Sequence, residues 1–271
     1  MTTSTFGGPL AVKLKAMSAA GFVATEFWPK DLFEYADGPT AAVDLLRESG
    51  LQVSIYQALR NYEGATPADR DQKLGIAEQM MDQMGLIGCD LLALPSNSGL
   101  DSSGDRQRIA ADLGRLGDLA RSRGMRVAFE PICWGRWISD YRQGWAVLQE
   151  LNHPNVGLML DSFHAFVLGT PLADIADIPG DRIFMVEVSD FAASALLPIE
   201  ISRHYRLFPG EGHSPMQTFL REVEKTGYAG CLSVEVFNAV YRQSDPFEIA
   251  QRGFDCATRM LRSADLSMGI D

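Results

Sequence analysis

Four acids sit in or close short apolar runs: Glu130 follows Val127-Ala128-Phe129, Asp161 follows Gly157-Leu158-Met159-Leu160, Glu187 follows Ile183-Phe184-Met185-Val186, and Glu235 follows Leu232-Ser233-Val234. Surface acids do not normally keep such company. Carboxylates buried together must be protonated, paired with bases or bound to a cation. The runs carry no Lys or Arg beside these acids, so one divalent metal ion is the economical answer. An all-oxygen set suits Mg²⁺ or Mn²⁺ ahead of Co²⁺ or Zn²⁺. The competing reading is that one or two of the acids pair with a loop arginine such as Arg136 or Arg203.

His164 stands three residues beyond Asp161, in Leu160-Asp161-Ser162-Phe163-His164. A metal and an imidazole base together suit abstraction of a proton next to a carbonyl whose oxygen the metal polarises. Arg60, in Gln57-Ala58-Leu59-Arg60-Asn61, and Arg206, in a long polar and aromatic segment, offer guanidinium forks for a carboxylate or phosphate. Each could equally bridge neighbouring acids.

The elements that must carry these residues alternate. Strands are predicted over Phe22 to Trp28, Gln52 to Gln57, Leu91 to Pro95, Arg126 to Glu130, Val156 to Asp161, Ile183 to Val188 and Leu232 to Phe237. Thr2 to Phe6 is a short candidate for an eighth. Helices are predicted over Leu10 to Ala20, Ala41 to Ser49, Asp69 to Met84, Asp105 to Arg123, Tyr141 to Leu151, Pro215 to Thr226 and Pro246 to Leu261, several closed by a glycine such as Gly21, Gly50, Gly124 or Gly227. Repeated βα units without a linker predict one domain over 1–271, a single α/β (β/α)8 TIM barrel. A doubly wound open sheet is the runner-up, weakened by the lack of GxGxxG after the first strand. In a barrel the four acids would all reach the catalytic end of the strands. The connection from Ser189 to Ser214 shows no clear helix start and is long enough to be functional.

The chain has 271 residues, with 24 Lys and Arg against 35 Asp and Glu and a net charge of -11. That field disfavours a nucleic-acid partner. Scattered cysteines without CxxC spacing suggest reduced thiols, and with neither a signal-like start nor a membrane span the expectation is a cytoplasmic protein with no membrane partner. Apolar helix faces and 11 methionines would permit a homodimer, though such residues are more often core.

The chain resembles the xylose-isomerase-like (β/α) barrel superfamily of sugar isomerases and epimerases, and within it, more closely, the bacterial 3-dehydroshikimate dehydratases. The likeness is carried by Leu-Asp-Ser-Phe-His at 160–164, Ser-Arg-His-Tyr-Arg-Leu-Phe-Pro-Gly-Glu-Gly at 202–212, Leu-Ser-Val-Glu-Val-Phe-Asn at 232–238 and Trp134-Gly135-Arg136. It implies that Glu130, Asp161, Glu187 and Glu235 ligate the metal and that His164 is the acid/base beside it. Ser202 and Arg206 match positions that hold a substrate carboxylate, Arg60 a further substrate contact, and Trp134 a substrate-binding position. The resemblance implies dehydration of 3-dehydroshikimate, a small carboxylated ring, to protocatechuate, with His164 removing the proton next to the carbonyl and helping to expel the β-hydroxyl. One departure stands at the metal: Glu187 occupies a place where such dehydratases usually carry Gln or His.

The alternative within the superfamily is a metal-dependent ketose isomerase or epimerase acting on another sugar or polyol, in which ligand carboxylates such as Glu130 and Glu235 also move protons. A binding protein that has lost turnover would be expected to lack a ligand, and none is missing. A phosphodiesterase-type barrel acting on DNA would need more histidine ligands and a positive groove.

Overall fold

The computed structural model describes residues 1–264. Its strands are β1 (Ala24–Phe27), β2 (Gln52–Tyr56), β3 (Leu91–Pro95), β4 (Arg126–Glu130), β5 (Val156–Asp161), β6 (Ile183–Val188), β7 (Asp190–Phe191), β8 (Arg206–Leu207) and β9 (Leu232–Val234). Seven of them form one parallel sheet in the order β1-β2-β3-β4-β5-β6-β9, and β7 pairs antiparallel with β8 in a separate ribbon. Between and around the strands run α1 (Leu10–Ala20), α2 (Pro29–Phe33), α3 (Gly38–Ser49), α4 (Pro67–Ile87), α5 (Arg106–Ser122), α6 (Tyr141–Leu151), α7 (Ser162–Leu168), α8 (Pro198–His204), α9 (Met216–Lys225) and α10 (Pro246–Ser263).

The sheet is nearly closed into a barrel. The eighth place, between β9 and β1, is taken by the first two residues: Thr2 N donates to Val234 O at 3.3 Å, and Glu26 N donates to Met1 O at 3.1 Å. The predicted strand over Thr2 to Phe6 is reduced to one bridge, Thr2 with Glu26, because Thr3–Thr5 winds into a 3₁₀ turn. Hydroxyls explain the change. Thr2 Oγ1 accepts from Ser4 N and so satisfies locally a backbone group that a strand would pair, while Thr3 Oγ1 donates to Asp31 Oδ2 at 2.5 Å and ties the turn to α2.

The period of two along each strand separates two apolar layers. Leu92 and Leu94, Val127 and Phe129, and Leu158 and Leu160 pack outward in the core between sheet and helices. Ile55, Leu91, Ala93, Ala128, Met159 and Met185 form a smaller cluster of their own, filling the barrel interior. The acids continue that inner layer: Glu130 is two residues past Ala128, Asp161 past Met159 and Glu187 past Met185, while Ser233 and Glu235 share parity on and after β9. Register aligns them, with Asp161 beside Glu187 and Glu187 beside Ser233.

The segment from Ser189 to Ser214 is more ordered than its composition suggested, since it holds β7, α8 and β8. Asp190 is fully buried and fixes its far end, accepting from Gly210 N, Gly212 N and Ser214 N at 3.2, 3.0 and 3.2 Å. A Cβ on Gly212 would meet Asp190 Oδ1 at 2.3 Å, so glycine is what lets the loop close on that carboxylate. α2 and α7 were not anticipated either; both are short turns hidden at strand exits. No described helix is long and apolar enough to cross a membrane.

Candidate active site

Strand ends deliver carboxylates to one end of the barrel, as predicted, but the acids gather as two groups. Glu130, Asp161 and His164 bring one ligand atom each within 4.8 Å of one another, and so do Glu26, Glu187 and Glu235. All six are buried. Glu26 escaped the sequence reading although the signal was the same: an acid inside Ala24-Thr25-Glu26-Phe27, on an apolar strand and one residue from its end.

In the first group, Asp161 has two structural duties. Its Oδ1 accepts from Phe163 N at 2.9 Å, capping α7, and its Oδ2 accepts from Arg206 Nη1 at 2.7 Å. The cap turns the chain so that His164, one helical turn on, faces back over the strand end. His164 Nε2 lies 3.3 Å from Glu130 Oε1 and 3.5 Å from Asp161 Oδ2. Burial opposes charge on the ring, but Asp161 and Glu130 outweigh it and push its pKa up to about 10. Cys133 N donates to Nδ1 at 3.2 Å, which works the other way: it favours a neutral ring with the proton on Nε2, facing the acids. The Trp134 ring packs edge-on against His164, centroids 5.1 Å apart.

The second group is held mainly by neutral donors. Gln57 Nε2 donates to Glu187 Oε1 at 3.0 Å and to Glu26 Oε2 at 3.3 Å, and Ser233 Oγ donates to Glu26 Oε1 at 2.5 Å. Glu187 Oε2 is buried with no partner. Burial, reinforced by Glu235, Glu26, Glu130 and Asp161, drives the Glu187 carboxyl well above the usual range. Burial likewise raises Glu235, although Arg206 pulls the other way.

Arg206 is the cation that joins the two groups. Its Nη1 lies 2.7 Å from Asp161 Oδ2 and 3.0 Å from Glu235 Oε2, while Nη2 donates to Ser202 Oγ at 2.8 Å. The guanidinium lies between Phe163 and Phe237, 4.4 and 5.5 Å from their ring centroids, and the residue is 2% exposed. Pairing of acids with a loop arginine therefore occurs, through Arg206 in place of Arg136 or Arg203. Sequence alone could not show this, because 45 residues separate Arg206 from Asp161.

A cavity of about 470 Å³ opens above these groups, within the range of small-molecule sites. Glu130, Trp134, His164, Ser202, Arg206 and Glu235 line it, with Arg60 at its exposed edge; Asp161 and Glu187 are not among its lining residues. Five buried carboxyl groups face one histidine and one arginine, and the orphaned Glu187 oxygen marks where a positive partner is wanted. The oxygen donors fit a hard divalent cation. The four acids expected as its ligands, Glu130, Asp161, Glu187 and Glu235, fall two in each group, and neither group contains all four.

Fold and site together define a small-molecule barrel with an acidic, cation-seeking floor. Residues 14–260 match the model of the xylose isomerase-like TIM barrel family, and the chain belongs to that family. It is 37% identical over 253 residues to the 3-dehydroshikimate dehydratase of Pseudomonas putida, an alignment covering 93% of this chain and 40% of that protein. The 3-dehydroshikimate dehydratase of Neurospora crassa is 24% identical, with 91% and 87% covered. Among solved structures, a xylose isomerase-like TIM barrel/4-hydroxyphenylpyruvate dioxygenase fusion protein superposes with a TM-score of 0.94 at 36% identity, over 97% of this chain and 42% of that one. The IOLI protein with a bound zinc atom superposes with a TM-score of 0.83 at 20% identity, over 98% and 97%. The chain thus spans about 40% of the length of its Pseudomonas putida relative.

Proposed function

We propose that the chain is a divalent-metal-dependent dehydratase that converts 3-dehydroshikimate to protocatechuate and water, with Mg²⁺ or Mn²⁺ as the favoured ion. The observation that carries the reading is the His164–Glu130 pair, an imidazole and a carboxylate 3.3 Å apart on the wall of a cavity that also presents arginines. The similarity to proteins named 3-dehydroshikimate dehydratase supports it. A cation held by Glu130, Asp161, Glu187 and Glu235 would polarise the ring carbonyl and acidify the carbon beside it.

The proton work falls to the chain's own side chains. The proton from the carbon next to the carbonyl passes to the His164–Glu130 pair, and the C–H electrons form the new ring double bond as the β C–O bond breaks. The same pair supplies a proton to the departing hydroxyl, which leaves as water. Enolisation of the remaining ring ketone completes the aromatic product. Arg60, Ser202, Arg206 and Trp134 orient the ring, and orientation of this kind supplies much of the rate.

Purified protein with Mg²⁺ or Mn²⁺ is expected to generate an aromatic ultraviolet signal from 3-dehydroshikimate, and His164→Ala to reduce it by roughly 10²-fold or more. The isomerase or epimerase reading predicts instead turnover of a neutral ketose with no aromatic product. Glu130 and Glu235, both on the cavity wall, are the acids such a reaction would use.

A further inference from the structure

His164 turns Nε2 toward Glu130, and a ring that can rotate about its side-chain bonds keeps that aim only if its other nitrogen is held. The group that holds it is backbone: Cys133 N donates to Nδ1 at 3.2 Å. Cys133 lies in a β-turn just past β4, closed by Gly135 N donating to Ile132 O at 2.7 Å. A turn closed in this way leaves the N–H groups of its two middle residues free. That of Cys133 is spent on His164, and the next residue, Trp134, sets its ring edge-on against the imidazole, centroids 5.1 Å apart. Neither contact involves a carboxylate.

What holds the turn is the end of β3. Register places Pro95 beside Glu130, so Ser96 and Asn97 leave the barrel alongside the turn. Ser96 N donates to Glu130 O at 2.8 Å, and Ser96 Oγ accepts from Ile132 N, at the start of the turn, at 3.0 Å. Asn97 O accepts from Arg136 N, just past its end, at 2.8 Å. Asn97 is itself anchored, its N donating to Glu63 Oε1 and its Nδ2 to Glu63 O. Gly135 completes the fit, because a Cβ there would collide with Ser96 Oγ and Ile138 O. Ser96 is 1% exposed and is not among the residues lining the cavity, so it touches no substrate there. Deleting its hydroxyl would orphan the buried Ile132 N–H and loosen the turn, and with it both contacts on the imidazole.

We infer that Ser96 is a positioning residue for the acid/base: its hydroxyl holds the Ile132–Gly135 turn against the end of β3, and the turn, through Cys133 N and the Trp134 ring, aims His164 into the cavity. The inference rests on the proposed function for the role of His164 and for the substrate that reads it out. Ser96 then governs the rate of turnover and leaves substrate binding alone, since no group that meets the substrate is removed with it.

Amide hydrogen exchange in protein isotope-labelled only at its four cysteine nitrogens reads the contact directly, with the Cys133 signal assigned by Cys133→Ser. In the intact chain the Cys133 N–H is expected to be protected, and in His164→Ala, Ser96→Ala and Gly135→Ala to exchange about tenfold faster or more, while Cys256 in α10 is unmoved. In turnover of 3-dehydroshikimate with Mg²⁺, Ser96→Ala is expected to lower kcat by about tenfold or more with KM within about twofold. Ser49→Ala is the control. Ser49 Oγ accepts from Leu51 N at 3.2 Å, a matching bond at the opposite end of the barrel, before β2 begins, and its loss should leave kcat and Cys133 exchange unchanged. Cys133 exchange unmoved by His164→Ala or by Ser96→Ala, or kcat of Ser96→Ala within about twofold of the intact chain, overturns the inference. Exchange needs no substrate, so a failure to turn over 3-dehydroshikimate would count against the functional proposal while the exchange comparison still decides this one.

Discussion

The two acid groups at the top of the barrel are built from the same residue types and have opposite surroundings. Glu130 and Asp161 have an imidazole and a guanidinium at hand, the nearest contact being 2.7 Å. Glu26 and Glu187 have an amide, a hydroxyl and one orphaned oxygen. Glu235 reaches Arg206 from the same group as Glu26 and Glu187. The difference teaches that burial alone does not decide what a carboxyl group is for. One group has cationic partners within reach and is organised for proton transfer; the other carries the orphaned oxygen, and an ion held by Glu130, Asp161, Glu187 and Glu235 would draw ligands from both.

The most severe way to break this contrast is to remove its cation. Arg206→Met keeps the apolar stem between Phe163 and Phe237 but leaves Asp161 and Glu235 without their partner. Loss of one member of a buried ion pair costs about 3–5 kcal/mol. Urea denaturation of the metal-free protein should show a loss of that order, and saturating Mg²⁺ or Mn²⁺ should recover much of it. A variant as stable as the parent would mean that the pairing contributes little.

A smaller effect sharpens the other side. Burial raises the Glu26 and Glu187 carboxyls alike. Glu26→Gln relieves the crowding, so the metal-free protein is expected to gain about 1–2 kcal/mol at neutral pH. Isothermal titration with Mn²⁺ then decides the role of Glu26: a change in Kd under about threefold makes it a neighbour of the ligands, and a loss of tenfold or more makes it a ligand.

A pH-dependent effect uses a buried carboxyl away from the cavity. Glu63 accepts from Asn97 N, its Oε2 has no partner, and burial pushes its pKa up to about 8. Unfolded, it would titrate near the ordinary glutamate value, so between about pH 4.5 and 8 the unfolded chain is ionised while the folded chain is not. Stability from this group therefore falls as pH rises through that window, by at most about 1.4 kcal/mol per unit, and levels off above it. Glu63→Gln should remove the slope, so its melting temperature relative to the parent is expected to rise from pH 5 to pH 8. A pH-independent difference would show that Glu63 is ionised in the folded protein.

Much of the barrel was legible because each strand is a short apolar run and the acids continue its period. Glu130, Asp161, Glu187 and Glu235 declared themselves by their company, and His164 by its three-residue spacing from Asp161. Glu26 obeyed the same rule and was overlooked because Phe27 and Trp28 after it made the run read as ordinary core. The first strand failed for a local reason, since the Thr2 hydroxyl accepts from Ser4 N, a group that a strand would pair. The long connection hid a helix and a ribbon because its order comes from Asp190, which binds backbone 20 or more residues away. Long-range pairing also explains Arg206: its acids lie 45 residues before it and 29 after, and no window of sequence contains both.

The central claim is that the acidic floor and the His164–Glu130 pair dehydrate 3-dehydroshikimate. Its most direct test is to incubate the purified chain with that compound, with Mn²⁺ or Mg²⁺ and with chelator, and to follow protocatechuate by chromatography. The account predicts one protocatechuate formed per 3-dehydroshikimate consumed, dependent on the ion and lost in His164→Ala. Consumption without protocatechuate, or no reaction with any divalent ion, would contradict it.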